Sequence, residues 1–171
     1  MNTMKLVNEF NRGALVLAGA IFSGTLFAAT DTTTFTVTAT VADSCSVAAT
    51  DLAFGSITPV DNINFDNTST VTVTCSNGTS YDTGLNEGSN SSDTTVNTRR
   101  MSDGVTSFLS YQLYSDSGRT TVWGDTVATD TVAGTGDGTG QAITVYGRVP
   151  SGQQTVSTGS YSDTVTVTVT F

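Results

Sequence analysis

The chain has 171 residues with 6 basic and 15 acidic side chains, a formal charge of −9 and no histidine. An acidic surface repels phosphate backbones, which sets nucleic-acid binding aside. Without histidine a Ser-His-Asp triad is impossible, and two lone cysteines do not make a four-ligand zinc site.

Lys5 and Arg12 precede an apolar run over residues 14–27, with Ala28 and Ala29 behind it. That is the layout of a secretory signal peptide, and the run is too short for an ordinary membrane span. Residues 1–29 are therefore expected to be removed, with cleavage after Ala28 or Ala29. No stable membrane insertion is expected afterwards. The remaining chain keeps four arginines and 14 carboxylates, has no lysine, and is rich in threonine. β-Branched residues at that density favour strands.

Past residue 30 the helical period is absent and a period of two is frequent. Phe35, Val37, Ala39 and Val41 alternate with Thr34, Thr36, Thr38 and Thr40, so residues 32–41 read as a strand with one apolar face. Such a strand is either the first strand of its own sandwich or a donor that completes a neighbouring molecule. Residues 30–42 are separated on this basis from a domain over 43–171. Cys45 shares a face with Val47, and Cys75 shares one with Val71 and Val73. An even pair in an exported chain is expected to form a disulfide, worth about 3.7 kcal/mol in the chain-entropy model.

Further strand candidates lie at 52–54, 81–85, 108–114, 121–123 and 142–149, with loops at 86–93 and 133–140. Many short strands separated by turn signals indicate a β-sandwich. Chemistry is sparse between them. Gly134, Gly136, Gly138 and Gly140 surround Asp137, but a phosphate loop needs a lysine where Gln141 stands. A flexible loop is the preferred reading over a calcium site. Arg99 and Arg100, the only basic pair, read as a solvated turn rather than an acidic-ligand contact. Tyr111, Tyr114, Trp123, Tyr146 and Tyr161 read as core residues rather than a sugar-binding surface. No catalytic, cofactor-binding or metal-ligating residue is assigned.

At the far end Val165, Val167, Val169 and Phe171 alternate with Thr164, Thr166, Thr168 and Thr170. An immunoglobulin-like domain ending there would lack its last strand and leave an open groove. A groove at one end and a spare strand at the other make a head-to-tail polymer.

Several motifs resemble one known family. They are Cys45-Ser-Val47, Leu52-Ala-Phe54-Gly55, Val71-Thr-Val-Thr-Cys75 and Leu109-Ser-Tyr111-Gln-Leu113-Tyr114-Ser-Asp116, leading to Trp123-Gly124. Val145-Tyr146-Gly147-Arg148-Val149-Pro150 and the ending Gly159-Ser-Tyr161-Ser-Asp163 through Phe171 continue the likeness. Together they are similar to the spore coat protein U domain family, which includes subunits of archaic chaperone–usher pili such as the Csu type. The resemblance implies an all-β, incomplete immunoglobulin-like sandwich, and a structural subunit rather than an enzyme, with no cofactor. It implies other pilin subunits, a periplasmic chaperone and an outer-membrane usher as partners. It also implies export to the cell surface as a pilus, with roles in adhesion and biofilm formation. By the same resemblance Phe35, Val37, Ala39 and Val41 are donor residues. Val165, Val167, Val169 and Phe171 lie on the strand lining the acceptor groove, and Cys45–Cys75 is the disulfide near its base. The alternatives are a monomeric secreted binding module, such as one for sugars, and a spore coat component.

Overall fold

The computed structural model describes residues 26–171. The signal-peptide reading of 1–29 falls almost wholly outside them. Among the described residues no helix is long and apolar enough to cross a membrane.

Among the described residues nine strands follow in order: β1 Cys45–Ala49, β2 Phe65–Cys75, β3 Ser80–Leu85, β4 Arg100–Ser102, β5 Phe108–Ser110, β6 Gln112–Tyr114, β7 Val132–Thr135, β8 Gly140–Val149 and β9 Val167–Thr170. All pairings are antiparallel. One sheet has the order β1-β2-β8-β6, a second β7-β3-β9, and a small hairpin is formed by β4 and β5. The protein is an all-β, immunoglobulin-like sandwich left incomplete at one side. The chain separates into an N-terminal unit ending at Ala39 and a unit Thr40–Phe171. In the first, residues 26–39 carry no strand and are exposed throughout.

Strict alternation builds the long central pair. On β2, Val71, Val73 and Cys75 turn inward, and on β8 Val145 and Val149 meet them. Val71 stands opposite Ile143 in a ten-residue register between the two strands. Leu85, Leu109, Leu113, Tyr111 and Trp123 complete the core. Trp123 is fully buried and donates its indole N–H to the Thr83 carbonyl at 2.8 Å, which satisfies the one polar atom its burial would otherwise strand.

Several expectations need correction. Residues 52–54 form no strand; they lie on the core as irregular chain. The stretch 108–114 is two strands in different sheets, because β5 pairs with β4 while β6 pairs with β8. Residues 121–123 contribute only a single bridge, from Val122 to Tyr114. The glycine-rich stretch is not a flexible loop: β7 occupies its first half and β8 begins at Gly140. Gly134 and Gly136 answer to packing. A Cβ on Gly136 would meet the Ser76 carbonyl at 2.5 Å, and one on Gly134 would enter the Tyr81 ring. Asp137 caps the turn by accepting from the Thr139 N–H at 2.8 Å.

The basic pair is also misread by composition alone. Arg99 is 1% exposed. Its Nε donates to the Asn86 carbonyl at 2.9 Å, Nη1 to Gln112 Oε1 at 2.8 Å, and Nη2 to the carbonyls of Leu85 and Asn86 at 2.5 and 2.7 Å. Burial lowers its pKa, and the carboxylates of Asp125, Asp130 and Asp163 oppose that shift. The guanidinium thus replaces a missing strand for the chain leaving β3. Arg100 behaves differently, lying over the Phe108 ring at 3.7 Å.

Replacing Arg99 with Ala leaves the Leu85 and Asn86 carbonyls without their side-chain donor, which is expected to lower stability by about 3 kcal/mol. Urea unfolding of Arg99→Ala against the parent protein measures this. A loss below about 1 kcal/mol would mean that water replaces the guanidinium without penalty.

Candidate functional site

The most distinctive feature of the domain is an unfilled edge. β9 pairs with β3 along one side only and stands at the end of its sheet. The Thr164 and Thr166 carbonyls accept from Ser89 N–H at 3.0 Å and Asn86 N–H at 3.1 Å, and the Thr166 N–H donates to Asn86 Oδ1 at 2.8 Å. Backbone groups of alternate residues in an antiparallel strand point to opposite sides. The N–H and C=O groups of Val165, Val167 and Val169 therefore face away from β3, where no strand lies among the described residues.

On that open side runs a groove of about 1060 Å³. Its floor is apolar, made by Val71, Leu85, Leu109, Leu113 and Val145. One wall is residues 156–165 with Val167; the other is the chain of 49–57 that follows β1. Local chemistry holds this second wall. The Thr50 N–H donates to the Thr70 carbonyl at 2.9 Å, and its hydroxyl meets Ser69 Oγ at 3.0 Å. Beyond Thr50 the ladder stops, and Leu52, Phe54 and Ile57 pack on the core instead. Gly147 of β8 makes room for them, because a Cβ there would lie 2.7 Å from Leu52 Cδ1 and 2.9 Å from Phe54 Cζ.

A polar cluster fastens the first wall. Asp163 Oδ1 accepts from the backbone N–H and the side-chain amide of Asn90, each at 3.0 Å, and Oδ2 accepts the Tyr111 hydroxyl at 2.7 Å. Gly88 sits against the same carboxylate with a φ of +83°, and its Cβ would collide with Asp163 Oδ2. Burial and the bond to Asp163 raise the Tyr111 pKa, so the phenol keeps its proton and remains a donor. Loop 86–93, the link between β5 and β6, and the approach to β9 are joined at this point.

The expected groove residues fall as follows. Val165, Val167 and Val169 are half-buried and pack on the core, and the first two line the groove. Phe171 lies past the end of β9 and is 60% exposed. Phe35, Val37 and Val41 are 85%, 81% and 90% exposed, Ala39 is exposed too, and none of them lies in a strand. Cys45 and Cys75 stand directly opposite on β1 and β2 with Cα atoms 4.1 Å apart, and they are disulfide-bonded. Neither lines the groove. Val47, expected inside with Cys45, is 39% exposed, because β1 is an edge strand and its outer part is uncovered. The Asp163 cluster and the buried Arg99 were not singled out as functional from sequence. Their polar side chains give no periodic signal, although Tyr111 and Asp163 both sit inside the motifs quoted above.

Residues 31–168 match the family model described as Spore Coat Protein U domain. The chain belongs to the Spore Coat Protein U domain family. Protein U of Myxococcus xanthus is 45% identical over 74 residues, which is 43% of this chain and 40% of that protein. Among solved structures the fold is similar to one chain of the CsuC–CsuE chaperone–tip adhesion subunit pre-assembly complex from the archaic chaperone–usher Csu pili of Acinetobacter baumannii. The TM-score is 0.56 and the identity 28%, over 77% of this chain and 40% of that chain. The match thus spans about two fifths of either relative's length.

Removing the Cys45–Cys75 bond frees β1, and with it the start of the second groove wall. The double variant Cys45→Ala/Cys75→Ala is expected to lose roughly 2–5 kcal/mol in denaturant unfolding. An unchanged midpoint would mean that strand pairing alone holds β1 in place.

Proposed function

We propose that this chain is a structural subunit of a bacterial surface pilus, assembled head to tail by donor-strand complementation through the chaperone–usher pathway. The observation that carries this reading is the one-sided pairing of β9 beside an apolar groove. Such an edge is a ready template for another chain, and what it lacks is hydrogen-bond partners and side chains to fill the groove. A single added strand supplies both requirements, hydrogen bonds to Val165, Val167 and Val169 and side chains for the groove floor.

In this reading residues 1–29 are the export signal, residues 30–42 the donor strand and residues 43–171 the acceptor domain. The donor side chains are Phe35, Val37, Ala39 and Val41; the acceptor strand carries Val165, Val167, Val169 and Phe171. The exposure of the donor residues and their lack of strand partners favour a segment made for another molecule. Full burial of a Phe or Val side chain contributes about 1.5–3 kcal/mol, and backbone pairing fixes the register. Before assembly a periplasmic chaperone occupies the groove, and an outer-membrane usher then passes the subunit into the fibre. The likeness to a chain of a chaperone–subunit complex supports the first of these partners. Adhesion and biofilm formation are the roles of such a fibre, and no catalysis is required of it. A monomeric binding module would need residues 32–41 paired within their own domain, and they are in no strand. A coat-forming polymer is the second reading, favoured by the family description and the identity with Protein U.

The same substitution at two neighbouring donor residues tests the reading. Val37→Asp places an unpaired charge on the buried face of the joint, whereas Thr36→Asp places it on the opposite face. Electron microscopy of cells exporting each variant at equal levels is expected to show few or no fibres for Val37→Asp and near-normal fibres for Thr36→Asp. Normal fibres from Val37→Asp would remove residues 32–41 from the joint.

A further inference from the structure

Tyr111 touches both walls of the groove. The ring of Tyr111 lies 6.4 Å from the ring of Phe54, tilted by 57°, and Phe54 belongs to the wall that follows β1. The hydroxyl at the other end of the same side chain donates to Asp163, which belongs to the wall leading into β9. Tyr111 is itself buried and fixed at its backbone, where its N–H donates to the Arg99 carbonyl at 3.1 Å. Asp163 is fixed in turn by Asn90 and by the close approach of Gly88.

From this geometry we infer that Tyr111 is a strut that sets the width of the groove, with Asp163 as its anchor. Both act as positioning residues for the incoming strand. The inference rests on the strand-accepting reading given above and adds a mechanism to it. A donor strand needs its hydrogen-bonding edge and its side-chain sites held at one spacing, since the ladder distance across paired strands varies by only tenths of an ångström. The floor residues are aliphatic and have no directional bond with which to impose that spacing. Tyr111 has one, because the rigid ring fixes the distance between Phe54 and Asp163 and the charged hydrogen bond fixes the direction. A free groove with a preset width spares the occupant the cost of ordering its walls.

A second tyrosine serves as the control. Tyr81 is buried but does not line the groove, and its hydroxyl donates to Gln141 Oε1 at 3.0 Å. Removing that hydroxyl takes away one hydrogen bond and leaves the link between walls intact.

The test uses the full chain and a labelled synthetic peptide with the sequence of residues 30–42, with affinity read by fluorescence anisotropy. Tyr111→Phe keeps the ring against Phe54 and cuts only the link to Asp163. It is expected to weaken peptide binding about tenfold, as loss of a hydrogen bond to a charged group does. Asp163→Asn is expected to weaken binding by a similar factor. Because the two residues form one unit, the double variant is expected to be no weaker than the weaker single variant. Tyr81→Phe is expected to bind within about twofold of the parent. Equal binding by Tyr111→Phe and the parent overturns the strut. So does an equal loss in Tyr81→Phe, or a double variant whose losses multiply, because each would mark general loosening of the domain. A parent chain that does not bind the peptide overturns the strand-accepting reading itself, and the strut with it.

Discussion

A strand with only one neighbour leaves a row of backbone N–H and C=O groups to the solvent, and in β9 that row borders apolar floor. Water can satisfy the backbone groups of Val165, Val167 and Val169, while Val71, Leu113 and Val145 beneath them are already almost wholly buried. Charged edge residues, bulges or covering loops are the usual protections of an exposed edge, and this edge carries valine and threonine instead. The rest of the domain is arranged around keeping that site open without collapsing into it.

Local contacts hold both sides of it. The disulfide ties β1 to β2 upstream of one wall, and Gly147 lets Leu52 and Phe54 lie deep enough to continue that wall after the ladder stops. On the other side Asp163 binds the approach to β9 onto loop 86–93, while Arg99 replaces the strand that the chain leaving β3 lacks. Tyr111 connects the two sides. The polar groups are few, and each accepts or donates to backbone or to a fixed partner. That is the condition under which burying them does not cost stability.

Strands with strict alternation were legible in the sequence. The Val–Thr pattern of 71–75 and the run ending at Val149 became the central pair, and the cysteine faces became a cross-strand bond. What alternation conceals is which side of a strand is empty. Residues 32–41 and 164–171 have the same pattern, yet one lies in no strand while much of the other pairs as β9. The stretch 108–114 looks continuous because its apolar period never breaks, but a hydrogen bond from Tyr111 to Arg99 marks where the chain changes sheets. Glycines at 134 and 136 look like a mobile loop because composition does not register a neighbouring Tyr81 ring or Ser76 carbonyl. Arg99 looks solvated for the same reason: its partners are carbonyl oxygens, which no sequence pattern displays.

The open edge of β9 can be followed directly by hydrogen–deuterium exchange at single amides, in the free chain and in the fibre that the proposed assembly would form. The amide of Thr166 is bonded toward β3 and should be protected in both states. The amides of Val165, Val167 and Val169 should exchange quickly before assembly and become protected in the fibre. Protection at these three valines that is unchanged by assembly would contradict an acceptor edge at β9.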